Sequence, residues 1–517
     1  MKLAGCALAR ELDRYAIDEL GMESAELMTR AGEHVAAAAE ELLGPGGGRA
    51  AIICGSGNNG GDGMAAAAQL LRHGVETRVF LVSPRGKMTS DTSEMERRLR
   101  ELGAGAEEFD GSPDTREYIL SCGVIIDAIF GIGMRAELSG AALSAAQLIN
   151  SSTARVVSAD MPSGVSADTG IVLGAAVKAD ITVTFTLAKP GHYLPPGCVH
   201  CGDVRVRSIG VPDDIARGAA ARLSTVEAED IALPHRERVS HKGDYGRDLI
   251  FAGSIGYTGA PVLAARAATR LGAGLVYVGV PQTVYGIVAA KCEGEMAFPL
   301  PCGRDGDLSD GAADSLQSRM ERCDAVLIGP GLGTGENTKK TILRLISQSK
   351  KPLILDADGI NALAGNIDIL RAAPCPVILT PHDGEFGRLA GGEKTAGRLD
   401  AATDFAQKNG CILVLKGYRT IIALPDGSAY INTTGGPALS KGGSGDILAG
   451  MILALAGQGF PLKDSVLAAV YLHGLAGDMC ARQYGEYSVS AGDIIEALPA
   501  AVMGVTAKHN MRGAANA

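Results

Sequence analysis

Short runs of apolar, often β-branched residues recur along this chain with helix-patterned segments between them, and they do so in two series. In the first series the runs fall at 50–54, 77–82, 124–128, 156–159 and 181–186. They are apolar on nearly every residue rather than alternately, which is the pattern of strands covered on both faces. A strand–helix alternation of this kind folds as an α/β sheet with helices on its two faces. One intervening helix is expected at 64–73, and two amphipathic helices, 11–20 and 25–43, precede the first strand. The pattern breaks across 209–239 and resumes with strands at 249–252, 275–280, 325–328, 353–356, 377–380 and 411–415. A hairpin follows, 420–424 turning through Pro425-Asp426-Gly427 into 429–431, and then two long helices, 446–457 and 463–481. At 517 residues the chain exceeds a single ordinary core. The expected organisation is a domain over 1–213, a linker over 214–238, a second domain over 239–505 and a dispensable tail over 506–517.

Two glycine-dense loops interrupt this pattern. The first is Gly55-Ser56-Gly57-Asn58-Asn59-Gly60-Gly61-Asp62-Gly63 and the second is Lys441-Gly442-Gly443-Ser444-Gly445-Asp446. Glycine brings backbone N–H groups close to a ligand, and a helix beginning there adds a positive dipole end. Both loops therefore suit phosphate, though neither has the spacing of a dinucleotide fingerprint or a P-loop. A net charge of -10 without a long basic run argues against nucleic acid or an anionic membrane as partner. No apolar stretch is long enough to span a bilayer, and the N-terminus lacks the apolar core of a secretion signal. The eleven cysteines are scattered apart from Cys198-Val199-His200-Cys201, which has no second pair to complete a zinc site. Scattered thiols of this kind suit a reducing cytoplasm.

Around the first loop, three strand ends deliver oxygen ligands to one edge: Asn58 and Asn59 before a helix, Asp127 before Phe130-Gly131-Ile132-Gly133-Met134-Arg135-Ala136-Glu137, and Asp160 before Met161-Pro162-Ser163-Gly164. Such a set suits a hard cation or a polar substrate. Lys189 is placed to reach the same edge or to lie solvated in its loop. These motifs resemble the NAD(P)H-hydrate epimerase family, although Ser56 and Thr29 stand where that family has proline and glutamate. The resemblance implies a Rossmann-like three-layer fold. It implies further that Asn58, Asn59, Gly60, Gly61, Asp62, the loop from Gly131 to Glu137 and Asp160 contact hydrated NADH or NADPH, and that Asn59, Asp127 and Ser163 hold K⁺. In the hydrate a hydroxyl sits on a carbon beside the ring nitrogen, whose lone pair helps expel it. Loss and return from opposite faces inverts that carbon, a step that needs an acid/base group. Asp160 is the first candidate, with Asp62 and Lys189 as alternatives.

In the second series Asp446 follows the glycines directly, so its carboxylate can accept a proton from an attacking hydroxyl while neighbouring amides hold phosphate. Gly329-Pro330-Gly331-Leu332-Gly333, Thr380-Pro381-His382 and Lys416-Gly417-Tyr418-Arg419-Thr420 fall at other strand ends. With Gly253-Ser254-Ile255-Gly256-Tyr257-Thr258-Gly259-Ala260-Pro261, these runs are similar to the ADP/ATP-dependent NAD(P)H-hydrate dehydratase family, which is ribokinase-like. The resemblance implies that Ala260, Gly331, His382 and Asp446 meet the hydrate, and that Lys416, Gly417, Tyr418, Arg419, Thr420 and Gly445 meet the adenine nucleotide. ADP or ATP is the expected co-substrate, with Mg²⁺ on its phosphates and phosphate as the leaving group in place of hydroxide. A homo-oligomer is the expected assembly. Two other readings remain: a ribokinase-like small-molecule kinase with an accessory domain, and a first domain that only senses nucleotide.

Overall fold

The computed structural model describes residues 1–233, 236–391 and 397–515, and the chain divides into two compact units, Lys2–Leu223 and Ser224–Ala517, the latter with Met1. The first unit carries a seven-stranded sheet. Its strands are β1 (Arg49–Cys54), β2 (Glu76–Leu81), β3 (Ala106–Glu108), β4 (Val124–Ala128), β5 (Arg155–Ala159), β6 (Ile181–Phe185) and β7 (Asp203–Arg207). They lie in the order β3-β2-β1-β4-β5-β6-β7, every pair parallel. Successive residues of one strand point to opposite faces. Ile52, Ile126 and Val157 accordingly enter one core with Val35 and Met64 from two helices, while Ile53, Ile125 and Val156 enter another with Ile119 and Ile149. Three layers result. The chain runs outward from β1 to β3 and returns beside β1 as β4, so the strand order reverses between β1 and β4. A crevice forms at such a reversal, outside the carboxyl ends of the strands.

The second unit repeats the plan at larger scale. Its sheet contains β8 (Leu223–Val226), β9 (Arg247–Phe251), β10 (Leu275–Pro281), β11 (Met296–Leu300), β12 (Ala325–Ile328), β13 (Leu353–Leu355), β14 (Val377–Leu379), β15 (Ile412–Leu415), β16 (Ile421–Ala423) and β17 (Ala429–Asn432), in the order β11-β10-β9-β12-β13-β14-β15-β16-β17-β8. β9 to β15 and β11 pair in parallel, and β16 and β17 form the antiparallel hairpin expected around Pro425-Asp426-Gly427. Here the reversal lies between β9 and β12.

Three expectations need correction. The helix expected from residue 64 begins at Asn58, so Asn58, Asn59 and both following glycines are helical rather than a loop before the helix. The physical reason is packing: a Cβ at Gly60 would stand 1.9 Å from the Gly55 carbonyl oxygen, so glycine brings the helix start against the chain leaving β1. The segment 214–238 holds all but the first residue of the helix Asp213–Gly218 and strand β8, and residues 234 and 235 lie outside the described residues. The tail from 506 is backbone-helical, within Ala491–Ala515, and residues 516 and 517 lie outside the described residues.

Helix Ser444–Gly457 presses on helix Gly259–Arg270, with Gly450 seated against the Ala264 backbone. A Cβ there would lie 2.1 Å from the Ala264 carbonyl oxygen, a backbone atom that cannot swing away. Gly450→Ala should therefore lower unfolding stability by about 1–3 kcal/mol, read as a fall in urea midpoint. An unchanged midpoint would contradict this packing.

Candidate functional site

In the first unit the reversal point opens into a cavity of about 560 Å³. Asn58, Asn59, Asp62, Gly131, Ile132, Gly133, Met134, Asp160 and Lys189 line it, whereas Arg135, Ala136 and Glu137 are exposed beyond its wall. Gly60 and Gly61 are buried in helix packing instead. Asp160 follows β5 directly and holds a left-handed φ of 61°. That turn aims its carboxylate back at the sheet edge, where Oδ1 accepts from Lys189 Nζ (2.6 Å) and Thr184 Oγ1 (3.0 Å), and Oδ2 from the Ile132 amide (3.3 Å). Burial alone would push this carboxyl up, but Lys189 outweighs it and holds Asp160 below the usual range. Lys189 is only 3% exposed, so the solvated-loop reading fails. All three of its protons are engaged, by Asp160 Oδ1, Thr184 Oγ1 (2.8 Å) and the Phe185 carbonyl (3.3 Å).

His192 secures this pair from behind. Its Nδ1 accepts from the Lys189 amide (3.0 Å), which leaves the proton on Nε2 to be donated to the Asp160 carbonyl (2.8 Å). Burial and the neighbouring Lys189 lower this imidazole to about 4, so it stays neutral and keeps one tautomer. Asp62 differs: burial, Asp160 and Asp13 push its carboxyl well up, and Lys189 pulls it back only in part. Asp13 was missed in sequence because the helix that carries it, Cys6–Asp18, reads as an ordinary amphipathic packing helix.

Asp127, on β4, is fully buried beside the cavity. Its carboxylate accepts from Ser163 Oγ (2.6 Å), the Ser163 amide (2.8 Å) and Ser158 Oγ (2.9 Å). Burial pushes it up, and the Ser163 hydrogen bonds offset part of that rise. Both amide atoms of Asn59 are buried without a partner, and its Oδ1 lies within 3 Å of where a Cβ on Gly131 would stand.

In the second unit the ends of β13, β14 and β15 meet the start of helix Ser444–Gly457, entered through Gly443 at a left-handed φ of 94°. Asp356, directly after β13 and 2% exposed, accepts at Oδ1 from Lys416 Nζ (2.8 Å) and Thr380 Oγ1 (2.8 Å). A Cβ on Gly445 would lie 3.2 Å from Lys416 Nζ, so Gly445, Lys416 and Asp356 form one cluster with Asp446. Burial and the adjacent Asp356 raise Asp446 to about 7, with Lys416 pulling the other way. Burial acts against the Lys416 charge, but Asp356 outweighs it and raises that ammonium. Asp356 stayed hidden in the sequence because it closes an apolar strand run and carries no glycine signature.

Gly331 and Ala260 come together across the β9/β12 reversal: a Cβ on Gly331 would lie 3.3 Å from that of Ala260. Asp358 fixes the glycine loop by accepting from the Gly333 amide (2.8 Å). Ala357, between the two aspartates, has a φ of 47°, which directs Asp356 to Lys416 and Asp358 to the loop. His382 caps helix Asp383–Leu389, its Nδ1 accepting from the Gly384 amide (3.0 Å), and its side chain is 57% exposed. Gly417, Tyr418, Arg419 and Thr420 form the turn between β15 and β16, closed by Thr420 Oγ1 donating to the Gly417 carbonyl (3.0 Å). Among the described residues, no three His, Cys, Asp or Glu side chains group as a metal site, and Cys201 is a buried thiol pushed up to about 12 by burial. No described helix is long and apolar enough to cross a membrane.

Against known proteins, a family model described as YjeF-related protein N-terminus matches residues 24–191, and one described as NAD(P)H-hydrate dehydratase matches residues 249–500. The bifunctional NAD(P)H-hydrate repair enzyme Nnr of Moorella thermoacetica is 39% identical over 96% of each chain. Its counterpart in Thermofilum pendens is 36% identical over 97% of this chain and 96% of its own. That of Salinibacter ruber is 36% identical over 94% and 93%.

The Asp446 carboxyl has a titration signature. Its raised proton affinity makes a stability contribution that is complete below its ordinary value of 3.8 and lost as pH rises through about 7. Carbon-detected NMR of the full chain should show this carboxyl titrating near 7, and Asp446→Asn should flatten the fall in stability between about pH 4 and 7. A midpoint near 4 would contradict the burial and Asp356 repulsion described.

Proposed function

The chain belongs to the bifunctional NAD(P)H-hydrate repair enzymes, which epimerise and dehydrate hydrated NADH and NADPH, and we propose that its two units divide the two reactions. Epimerisation falls to the cavity at β1/β4 and dehydration to the cluster at the ends of β13, β14 and β15. The observation that carries this division is that each unit holds, just beyond its strand ends, its own lysine–aspartate pair beside a second carboxyl without a cation of its own: Asp62 in one, Asp446 in the other.

In the first unit, Asp160 is ionised and immobile, so its part is to anchor the hydrate together with the Gly131–Met134 amides and the Asn58–Asp62 turn. This shifts the acid role from Asp160 to Asp62, whose carboxyl holds its proton more tightly than an ordinary aspartate and can give it to the departing hydroxyl. The ring nitrogen's lone pair fills the vacancy as the carbon–oxygen bond breaks. Water then adds from the other face and returns a proton to the protein. For K⁺ the donor set fits: a buried carboxylate, a serine hydroxyl and an amide oxygen without a partner, all hard oxygens carrying one charge. Asn59, Asp127 and Ser163 would hold the ion, which would compensate the buried Asp127 charge and brace the Gly131 loop.

In the second unit, Asp446 takes the proton of the hydrate hydroxyl as that oxygen bonds to the terminal phosphorus of ADP (or ATP). The bond from that phosphorus to the leaving AMP (or ADP) breaks. Phosphate then departs with the carbon–oxygen electrons, the ring nitrogen assists, and loss of a proton from the neighbouring carbon restores the double bond of NADH or NADPH. A base near 7 is matched to this task at neutral pH. The amides at the start of helix Ser444–Gly457 face the phosphoryl group, and Lys416, Gly417, Tyr418, Arg419, Thr420 and Gly445 surround the nucleotide. Ala260, Gly331 and His382 complete the hydrate's side. Mg²⁺ would ride on the nucleotide phosphates and water, since no described cluster of ligand side chains stands ready for it.

Purified protein given S hydrate, Mg²⁺ and ADP or ATP should regenerate reduced-cofactor absorbance, and Asp446→Asn should abolish this at least 100-fold while nucleotide still binds. Regeneration with neither nucleotide, or full activity in the variant, would overturn the dehydratase assignment. In K⁺ rather than Na⁺ buffer the first unit should melt higher, and Asn59→Ala should erase the difference; equal melting in both salts would remove K⁺ from the site.

A further inference from the structure

The cavity of the first unit holds one more ionisable group than the chemistry above has used. Helix Cys6–Asp18 turns Ala9, Asp13 and Ile17 toward it, residues spaced four apart and therefore on one face. Three carboxyls thus line the cavity, Asp13, Asp62 and Asp160, with one lysine among them. That lysine has no proton to spare, since Asp160, Thr184 and the Phe185 carbonyl take all three. Arg10, the remaining cation of the lining, makes no ion pair with Asp13 or Asp62 within 4.0 Å among the described residues. Leu27, Met28 and Ala31, lining from helix Ser24–Leu43, bring no titratable group.

Two half-buried carboxyls without a cation do not both ionise readily in one cavity. Burial and Asp160 push Asp13 up and Lys189 opposes them, while Asp13 in turn pushes Asp62 up. The two belong to separate elements, Asp13 to helix Cys6–Asp18 and Asp62 to helix Asn58–Arg72. Inversion at the hydrated carbon has a matching demand: a proton is given to the hydroxyl leaving one face and taken from the water arriving at the other.

We propose that Asp13 is the second catalytic residue of the epimerisation, sharing a single proton with Asp62. Resting, one of the two is protonated and the other ionised. Asp62 gives its proton as the carbon–oxygen bond breaks, producing water and a ring cation stabilised by nitrogen. Water attacks the opposite face, a carbon–oxygen bond forms, and its surplus proton passes to Asp13. Transfer from Asp13 to Asp62 restores the start. Atoms and charge balance with no further reagent, and the reverse direction exchanges the two roles.

This inference rests on the epimerase reading, so the unaltered full-length protein is assayed first with R hydrate, in the absence of nucleotide; failure to interconvert the epimers overturns that reading and not only Asp13. Asp13→Asn should then lower epimerisation kcat about 100-fold or more with KM within about threefold. ADP-driven turnover of S hydrate by the same chain should be unchanged. Residual activity should lose its alkaline limb at lower pH, because removing one carboxylate relieves the repulsion that keeps Asp62 protonated. Asp13→Glu should recover at least about tenfold over the asparagine variant. A kcat within about threefold of the unaltered protein, or a reduced kcat with the alkaline limb unmoved, would overturn the proposal. If Asp13→Asn does not fold, Asp13→Ser decides: a lower kcat with the alkaline limb moved to lower pH supports the role, and an unaltered kcat or an unmoved limb refutes it.

Discussion

In each unit one lysine ammonium is tied directly to one buried aspartate, and the neighbouring carboxyl has, among the described residues, no such cation in contact with it. Lys189 binds Asp160 at 2.6 Å and Lys416 binds Asp356 at 2.8 Å. The aspartate of each pair repels the next aspartate without its lysine relieving that repulsion fully. Asp62 and Asp446 are both raised, first by burial and then by repulsion, in which the neighbouring aspartate, Asp160 or Asp356, is the largest electrostatic contribution. A carboxyl that holds a proton can release a hydroxyl as water, and one poised near neutrality can accept a proton from an alcohol. The two halves thus reach different reactions through the same electrostatic device.

The backbone is bent to serve these pairs. Among the described residues only four non-glycine residues have a positive φ: Asp160, Thr186, Ala357 and Arg419. All four lie just beyond the ends of strands, Asp160 after β5, Thr186 after β6, Ala357 after β13 and Arg419 in the turn after β15. Each such residue costs of order 1–3 kcal/mol and persists only where its surroundings enforce it. Here the enforcement is visible. His192 fastens the backbone of Asp160 and Lys189, and Asp356 and Asp358, on either side of Ala357, are fixed by hydrogen bonds to different partners.

Both sheets were legible in the sequence wherever a strand is apolar on both faces, as at Ala51-Ile52-Ile53 or Ala325-Val326-Leu327-Ile328. The edge strands were not. Ala106-Glu107-Glu108 and Asp203-Val204-Arg205-Val206-Arg207 carry charge because one side of an edge faces water. Glycine loops announced Asn58–Asp62 and Gly445-Asp446, since glycine is itself a mark of close approach. Asp13 and Asp356 left no such mark: one sits in an amphipathic helix and the other ends an apolar run, and only the folded chain brings them to Asp62 and Asp446. Gly60 and Gly61, expected at a ligand, lie in tight packing instead, Gly60 against the Gly55 backbone leaving β1 and Gly61 against Met28 and Thr92.

Neutron diffraction from a deuterium-exchanged crystal near pH 7 would locate the protons directly. The account requires three deuterons on Lys189, none on Asp160, and one held by the Asp62 and Asp13 carboxyls together. A deuteron on Asp160, with Asp62 and Asp13 both bare, would show that the lysine serves the whole cavity rather than one aspartate, and the electrostatic account of the site would be wrong.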